Sequence, residues 1–165
     1  MNTYLERTQQ AIEHAVAGLT TEQLARAPQG KWSAEAVLEH LDLTFSGSIQ
    51  NLRKTLELGP RPLSRSLLQR VAAWVIVDLG YFPTGFKAPE FAVPKGGRGA
   101  EVVASIKRHL EEMDAVLDEC DAKLGRRVTF KHPRLGALNS AQWRRFHLVH
   151  TRHHMKQVAR LRARL

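Results

Sequence analysis

The chain has one cysteine in 165 residues. Cys120 has no partner for an internal disulfide, so a reducing cytoplasm is the simplest compartment to expect. Long hydrophobic runs are missing too. The longest, VAAWVIV from Val71 to Val77, falls well short of the roughly 20 apolar residues that span a bilayer as a helix. The opening MNTYLERTQQ lacks the apolar stretch of a secretion signal. No internal repeat, low-complexity tract or convincing strand pair can be read from the sequence. These absences point away from a disulfide scaffold, a membrane partner and a sheet-dominated fold.

The composition is that of an ordinary globular protein, 43% hydrophobic and 25% charged, and the length suits one domain over residues 1–165 with a sizeable core. Lys and Arg outnumber Asp and Glu by 25 to 16, a net charge of +9. Such an excess can signal nucleic acid, an acidic membrane surface or an anionic substrate. Its distribution says more. EEMDAVLDECD (111–121) is acidic and RRFHLVHTRHHMKQVARLRAR (144–164) is basic, so two neighbouring helices would account for part of the asymmetry without any partner.

The dominant period is helical. From Ala100 to Leu124, apolar residues fall at Val102, Ile106, Leu110, Met113, Leu117 and Cys120, the three-four spacing of a helix with one buried stripe. A first helix is expected from about Thr3 to Leu19. A second starts after Ser33, a good N-cap, and stops before Gly59-Pro60, which cannot continue it. A third, shorter helix covers roughly Leu63 to Leu79. A last one starts at Asn139, with Gln142 answering it as in a capping box. Gly80 to Gly99 is a loop rich in Gly, Pro and aromatics, and Arg126 to Leu138 has room for one short extended piece. The reading is all-α: a bundle of four long helices with a short extra helix and a Pro/Gly-rich loop.

Four of the eight histidines crowd into HLVHTRHH, residues 147–154. A helix turns about 100° per residue, which puts His147, His150, His154 and Gln157 in one sector with Trp143, Phe146, Val158 and Leu161. Arg145, Arg152, Lys156 and Arg160 take the opposite flank, and His153 lies between. A single inward histidine is most simply a core residue bonded to a carbonyl. The His150/His154 pair is different, because an i, i+4 spacing brings two ring nitrogens to one point, as when a helix supplies two metal ligands. HxxxH by itself is a modest signal.

The second helix offers a third ligand. Its apolar stripe is Leu38, Leu41, Phe45, Ile49, Leu52 and Leu56, and its charged face is Glu35, Glu39, Asp42 and Arg53. His40 belongs to neither. It shares a lane with Ser33, Ala36, Thr44, Gly47 and Asn51, small or polar residues that describe a cavity wall better than a packed seam. Gly47, costly inside a helix, suggests that something approaches the backbone there. The plainer alternative is an interhelical polar seam with His40 hydrogen-bonded.

The pattern W-S-x-x-x-V-L-x-H-L (Trp32 to Leu41) resembles the second helix of the DinB-like superfamily, and H-x-x-H-H-x-x-Q (His150 to Gln157) resembles its last bundle helix. FPTGFKAP (82–89) and HPRLGALNSAQWRRF (132–146) look like an uncharacterised branch of it. The resemblance covers about Trp32 to Leu161. It implies an up-down-down-up four-helix bundle, often a homodimer, with a divalent metal held by one histidine of helix two and two of the last helix. Position by position these are His40, His150 and His154; His153 is adjacent, and the helical wheel favours His154. Characterised members include thiol-dependent transferases and a mycothiol-dependent isomerase, and many are described as metal-dependent hydrolases.

Three neutral imidazoles would leave coordination positions open, as in catalytic sites. They suit Zn²⁺ or Ni²⁺ first, with Fe²⁺, Mn²⁺ or Cu²⁺ behind. Such a cation would turn water or a low-molecular-weight thiol into a nucleophile near neutral pH. His147 could carry protons beside the site, and Gln157 could reach its open side. Asp78 could orient a ligand but more simply sits exposed at a helix end. His132 and Tyr81 lie in loops that could cap the cavity, while Trp32, Trp74, Trp143 and Phe146 read as core. Three functions compete: a metal-dependent transferase or hydrolase acting on a small molecule, a metal-binding bundle without catalysis, and a nucleic-acid binder using Arg144, Arg145, Arg152, Lys156, Arg160, Arg162 and Arg164. Those seven cations spread around the helix, which ranks the last reading lowest.

Overall fold

The computed structural model describes residues 1–59, 64–85, 87–97, 99–125 and 128–164. In chain order it forms α1 (Thr3–Val16), α2 (Thr21–Ala25), α3 (Ala34–Leu58), and α4 (Leu67–Ala73) running into a π-helical turn (Trp74–Asp78). A 3₁₀ turn (Glu90–Ala92), α5 (Gly99–Leu124), the strands β1 (Val128–His132) and β2 (Gly136–Asn139), and α6 (Ser140–Arg162) follow. No helix among the described residues is long and apolar enough to cross a membrane.

The four long helices α1, α3, α5 and α6 make the bundle, with α3 against α5 and α6, and α1 against α6 and α5. Side-chain pairs give their directions. Asp42 meets Ser105 while Arg53 meets Glu112, so α3 and α5 run parallel. His40 lies beside His154 while Phe45 lies beside His147, so α6 runs against α3. The Arg145 guanidinium near the start of α6 donates to the Tyr4 hydroxyl near the start of α1, which aligns those two. The result is the up-down-down-up order. Leu38, Leu41, Phe45 and Leu52 of α3 and Leu110 and Leu117 of α5 are buried in the core between them.

The expected caps form. The Ser33 side chain accepts from the Ala36 N–H, and Asn139 and Gln142 make both bonds of a capping box. The expected pairing of acidic and basic helices also forms: Arg144 of α6 is 4% exposed and donates to Asp118 and Asp121 of α5.

Several local expectations need correction. The first helix ends at Val16 rather than Leu19, because Gly18 takes φ +75° and Thr20 then caps the separate helix α2 with Gln23. The third helix starts at Leu67, where Ser66 and Gln69 form another capping box; Leu63, like Pro60 and Arg126, lies outside the described residues. Trp74 is 56% exposed and not core. A strand pair exists where none was read. In that hairpin His132 faces Gly136 and Phe130 faces Leu138, and the Phe130 ring stacks on Trp143 of α6 at 4.0 Å. A lone two-stranded hairpin is marginal in water. The helix beneath it supplies the packing that local sequence could not announce.

Candidate metal centre

Helix α3 presents His40 and α6 presents His150 and His154, all three buried. One potential ligand nitrogen from each lies within 4.8 Å of the others, the one such group of His, Cys, Asp or Glu side chains among the described residues. Ring centroids are 4.6 Å apart for His150 and His154, 4.7 Å for His40 and His154, and 5.4 Å for His40 and His150. The Nε2 atoms of His150 and His154 are 3.1 Å apart. Nitrogens sharing a zinc ion at about 2.0–2.1 Å each stand roughly 2.9–3.4 Å apart, so this pair already has the spacing of two ligands. The donor set therefore fits a divalent cation.

The outer nitrogens are held by groups whose chemistry decides the tautomers. His40 Nδ1 is 2.7 Å from the Ala92 carbonyl oxygen. A carbonyl only accepts, so Nδ1 carries the proton and Nε2 keeps a lone pair. His154 Nδ1 is 3.0 Å from Gln157 Oε1, with the same consequence. The Gln157 amide nitrogen then donates to His153 Nε2 at 3.1 Å, and His153 in turn donates to the backbone carbonyl of Phe82. His153 thus ends a chain that orients His154. It is not in the group of three. His150 Nδ1 is buried without a hydrogen-bond partner among the described residues, its ring stacked on Phe146 and tilted against Phe82.

Electrostatics favour the uncharged rings that a metal requires. Burial lowers the pKa of His40, against the Ala92 carbonyl, which raises it. Burial and then His40 hold His154 at about 3, against the opposing hydrogen bond of Gln157. Burial, then His154 and His40, put His150 well below the usual range.

The other expected site residues are placed as follows. His147 is fully buried one turn before His150, among Phe45, Trp143 and Phe146. Neither of its ring nitrogens has a partner among the described residues. Gln157 lies on the Nδ1 side of His154 and is occupied by two histidines. Asp78 pairs with Arg145 at 2.8 Å at the end of the π turn, in the exposed position the simpler reading gave it. His132 belongs to β1 rather than to a loop; its Nδ1 accepts from the Arg134 and Leu135 N–H groups, and its ring meets Phe146. Tyr81 is exposed. Trp143 and Phe146 are core, while Trp32 is half-buried with its ring 5.3 Å from His40. Cys120 is buried, and burial, then Asp121 and Glu119, raise its thiol to about 11.

The close approach expected at Gly47 is present: Phe91 lies over it, where a Cβ would be 3.3 Å from its ring, so the lane of small residues around His40 is covered rather than open. The burial of one acidic residue was missed in the sequence. Glu39, assigned to the charged face, is 9% exposed and accepts from the backbone N–H groups of Lys95, Gly96 and Gly97. The one hint was the Gly-Gly pair at 96–97, which lets a backbone come close.

Residues 4–158 of the chain match the model of the family described as the DinB superfamily. No curated protein and no solved structure matches it.

Proposed function

The chain belongs to the DinB superfamily, and from that premise we propose that it is a metal-dependent enzyme holding one divalent cation on His40, His150 and His154. The observation that carries the reading is the inward meeting of three neutral imidazoles, two of them with their Nδ1 protons committed outward to Ala92 and Gln157. Outer hydrogen bonds of this kind are how metal-binding histidines are oriented and made more basic. The cation, Zn²⁺ or Ni²⁺ in first place and Fe²⁺ or Mn²⁺ behind, would supply Lewis acidity toward a small molecule. With no carboxylate among the three ligands the centre stays dicationic and favours anionic ligands, a thiolate included. That favours thiol-dependent transfer or hydrolysis of a small molecule in the cytoplasm.

The protein's own contribution is positioning and exclusion of water. Phe82, Phe146 and Trp32 surround the imidazoles, and Gln157 keeps His154 in one tautomer. His147 lies one turn before His150 as a neutral buried ring, and a role in carrying protons would need partners at its nitrogens beyond those the described residues supply. A second reading, a metal-binding bundle without catalysis, is favoured by one observation: no carboxylate belongs to the three-histidine group, and the nearest in sequence, Glu39, is taken up by three backbone N–H groups.

Elemental analysis of protein purified without an affinity tag tests the site. About one metal per chain is expected, and its absence under metal-replete expression would end the proposal. A screen of cellular thiols against electrophiles then separates enzyme from passive binder.

A further inference from the structure

Segment 90–97 holds to α3 at three places. Phe91 covers Gly47, which has no side chain to block it. The Ala92 carbonyl meets His40 Nδ1 at 2.7 Å, and Ala92 itself is fully buried. The Glu39 carboxylate accepts from the N–H groups of Lys95 at 2.8 Å, Gly96 at 2.9 Å and Gly97 at 2.8 Å. Between Glu90 and Gly97 the chain has one 3₁₀ turn, closed by the Ala92 N–H on the Pro89 carbonyl and the Val93 N–H on the Glu90 carbonyl. These bonds fix the Ala92 peptide within the turn, and the attachments to α3 decide where the turn aims the Ala92 carbonyl.

Of the three attachments, the carboxylate is the strongest. Hydrogen bonds to an ionised acceptor are about twice as strong as neutral ones, and here three converge on one nearly buried group. The glycines make this possible. Gly96 has φ +99°, and a Cβ on Gly97 would fall 3.0 Å from Val102 Cγ2 and 3.3 Å from Glu39 Cδ. Burial pushes the Glu39 carboxyl up, and the Lys95, Gly97 and Gly96 N–H groups more than offset this, so it stays ionised.

We propose that Glu39 is a positioning residue for the metal centre: its carboxylate pins segment 90–97 to α3, so that the Ala92 carbonyl holds His40 in the Nδ1–H tautomer with Nε2 free for the ion. The inference rests on the metal reading above, but its first link, from Glu39 to the His40 tautomer, does not need the ion. Without the anchor the Ala92 carbonyl drifts. The buried His40 N–H then loses its acceptor, and the ring gains freedom to exchange tautomers or rotate. Removing outer hydrogen-bond partners of this sort typically costs about 10–100-fold in metal affinity.

The test is Glu39→Gln, which keeps the size of the side chain and sets an NH₂ group against the backbone donors. Two quantities are read: Zn²⁺ and Co²⁺ affinity by competition with a chelator, and the ¹⁵N shifts of the His40 ring in metal-free protein. The expected result is affinity weaker by about 10–100-fold, together with a His40 spectrum moved from a pure Nδ1–H form toward a tautomer mixture. Gly97→Ala displaces the same segment with the carboxylate intact and should move both readouts in the same direction. If Glu39→Gln fails to fold, this second variant decides. An unchanged His40 tautomer overturns the inference, even if affinity falls, because the loss is then general loosening. If wild-type protein binds neither ion, the metal reading fails, while the ring spectra still decide the link from Glu39 to His40.

Discussion

The Nε2 atoms of His150 and His154 face each other across 3.1 Å, one turn apart on α6. Two imidazole lone pairs at that distance repel, so the pair must hold either a shared proton or a cation. His40 arrives from α3 with its own Nε2 unprotonated. A cation can satisfy all three rings, whereas one proton can satisfy two. His40→Ala and His154→Ala should therefore each abolish binding of about one Zn²⁺ per chain, measured by calorimetry on protein loaded after chelation. His14→Ala, on the exposed side of α1, should bind like wild type.

Among the described residues, Gln157 is the side chain bonded to the outer nitrogen of His154. Gln157→Leu removes both that acceptor and the donor to His153, and should weaken Zn²⁺ binding by about 10-fold or more. A mutant with wild-type affinity would mean that packing alone orients His154.

Acid should weaken the fold in a defined window. His147 has its pKa lowered from 6.5 to about 3 by burial first and then His132; burial, then Arg134, lowers His132 to about 4. Above 6.5 both rings are neutral in folded and unfolded chains, and neither makes stability depend on pH. As pH falls below 6.5 the unfolded chain takes up protons that the folded one refuses, so stability is lost progressively until the folded pKa values are reached. For His147 alone the loss at pH 5 is on the order of 2 kcal/mol. Denaturant melts of metal-free protein at several pH values measure this. His147→Leu should flatten the profile and cost little at pH 7, since both ring nitrogens are buried without partners among the described residues.

Arg144 is the hinge of the charge asymmetry. Its guanidinium is nearly buried, while Asp118 and Asp121 reach solvent. Arg144→Ala should destabilise by about 2–3 kcal/mol, less than the roughly 3–5 of a fully buried broken pair, because the orphaned Asp118 and Asp121 carboxylates can be hydrated, while Asp114, 3.6 Å from the guanidinium, is mostly buried. Arg53→Ala, at the exposed pair with Glu112, should cost less than about 1 kcal/mol. Equal losses in chemical denaturation would show that the burial of Arg144 carries no special weight.

The long helices, their caps at Ser33 and Asn139, and the inward sector of α6 were legible because they follow local rules. A period near 3.6 and a capping side chain three residues from its partner need no knowledge of the rest of the chain. His40 stood out for a related reason, as a histidine among small residues outside both the apolar and the charged stripes of its helix.

Glu39 was misjudged for the opposite reason. On the wheel it is one more charge beside Glu35 and Asp42, and only the return of residues 95–97 across α3 buries it. The hairpin and the exposure of Trp74 were hidden in the same way, since each depends on what α6 does or does not cover.

What the sequence determined by itself was the four long helices and the apolar stripe that each turns inward, since both come from interactions spanning four residues or fewer. The tertiary structure decided which groups meet: His40 with His154, Ala92 with His40, Glu39 with the 95–97 backbone. Those meetings depend on chain segments up to 114 residues apart (154 minus 40), and no local propensity encodes the distance between them.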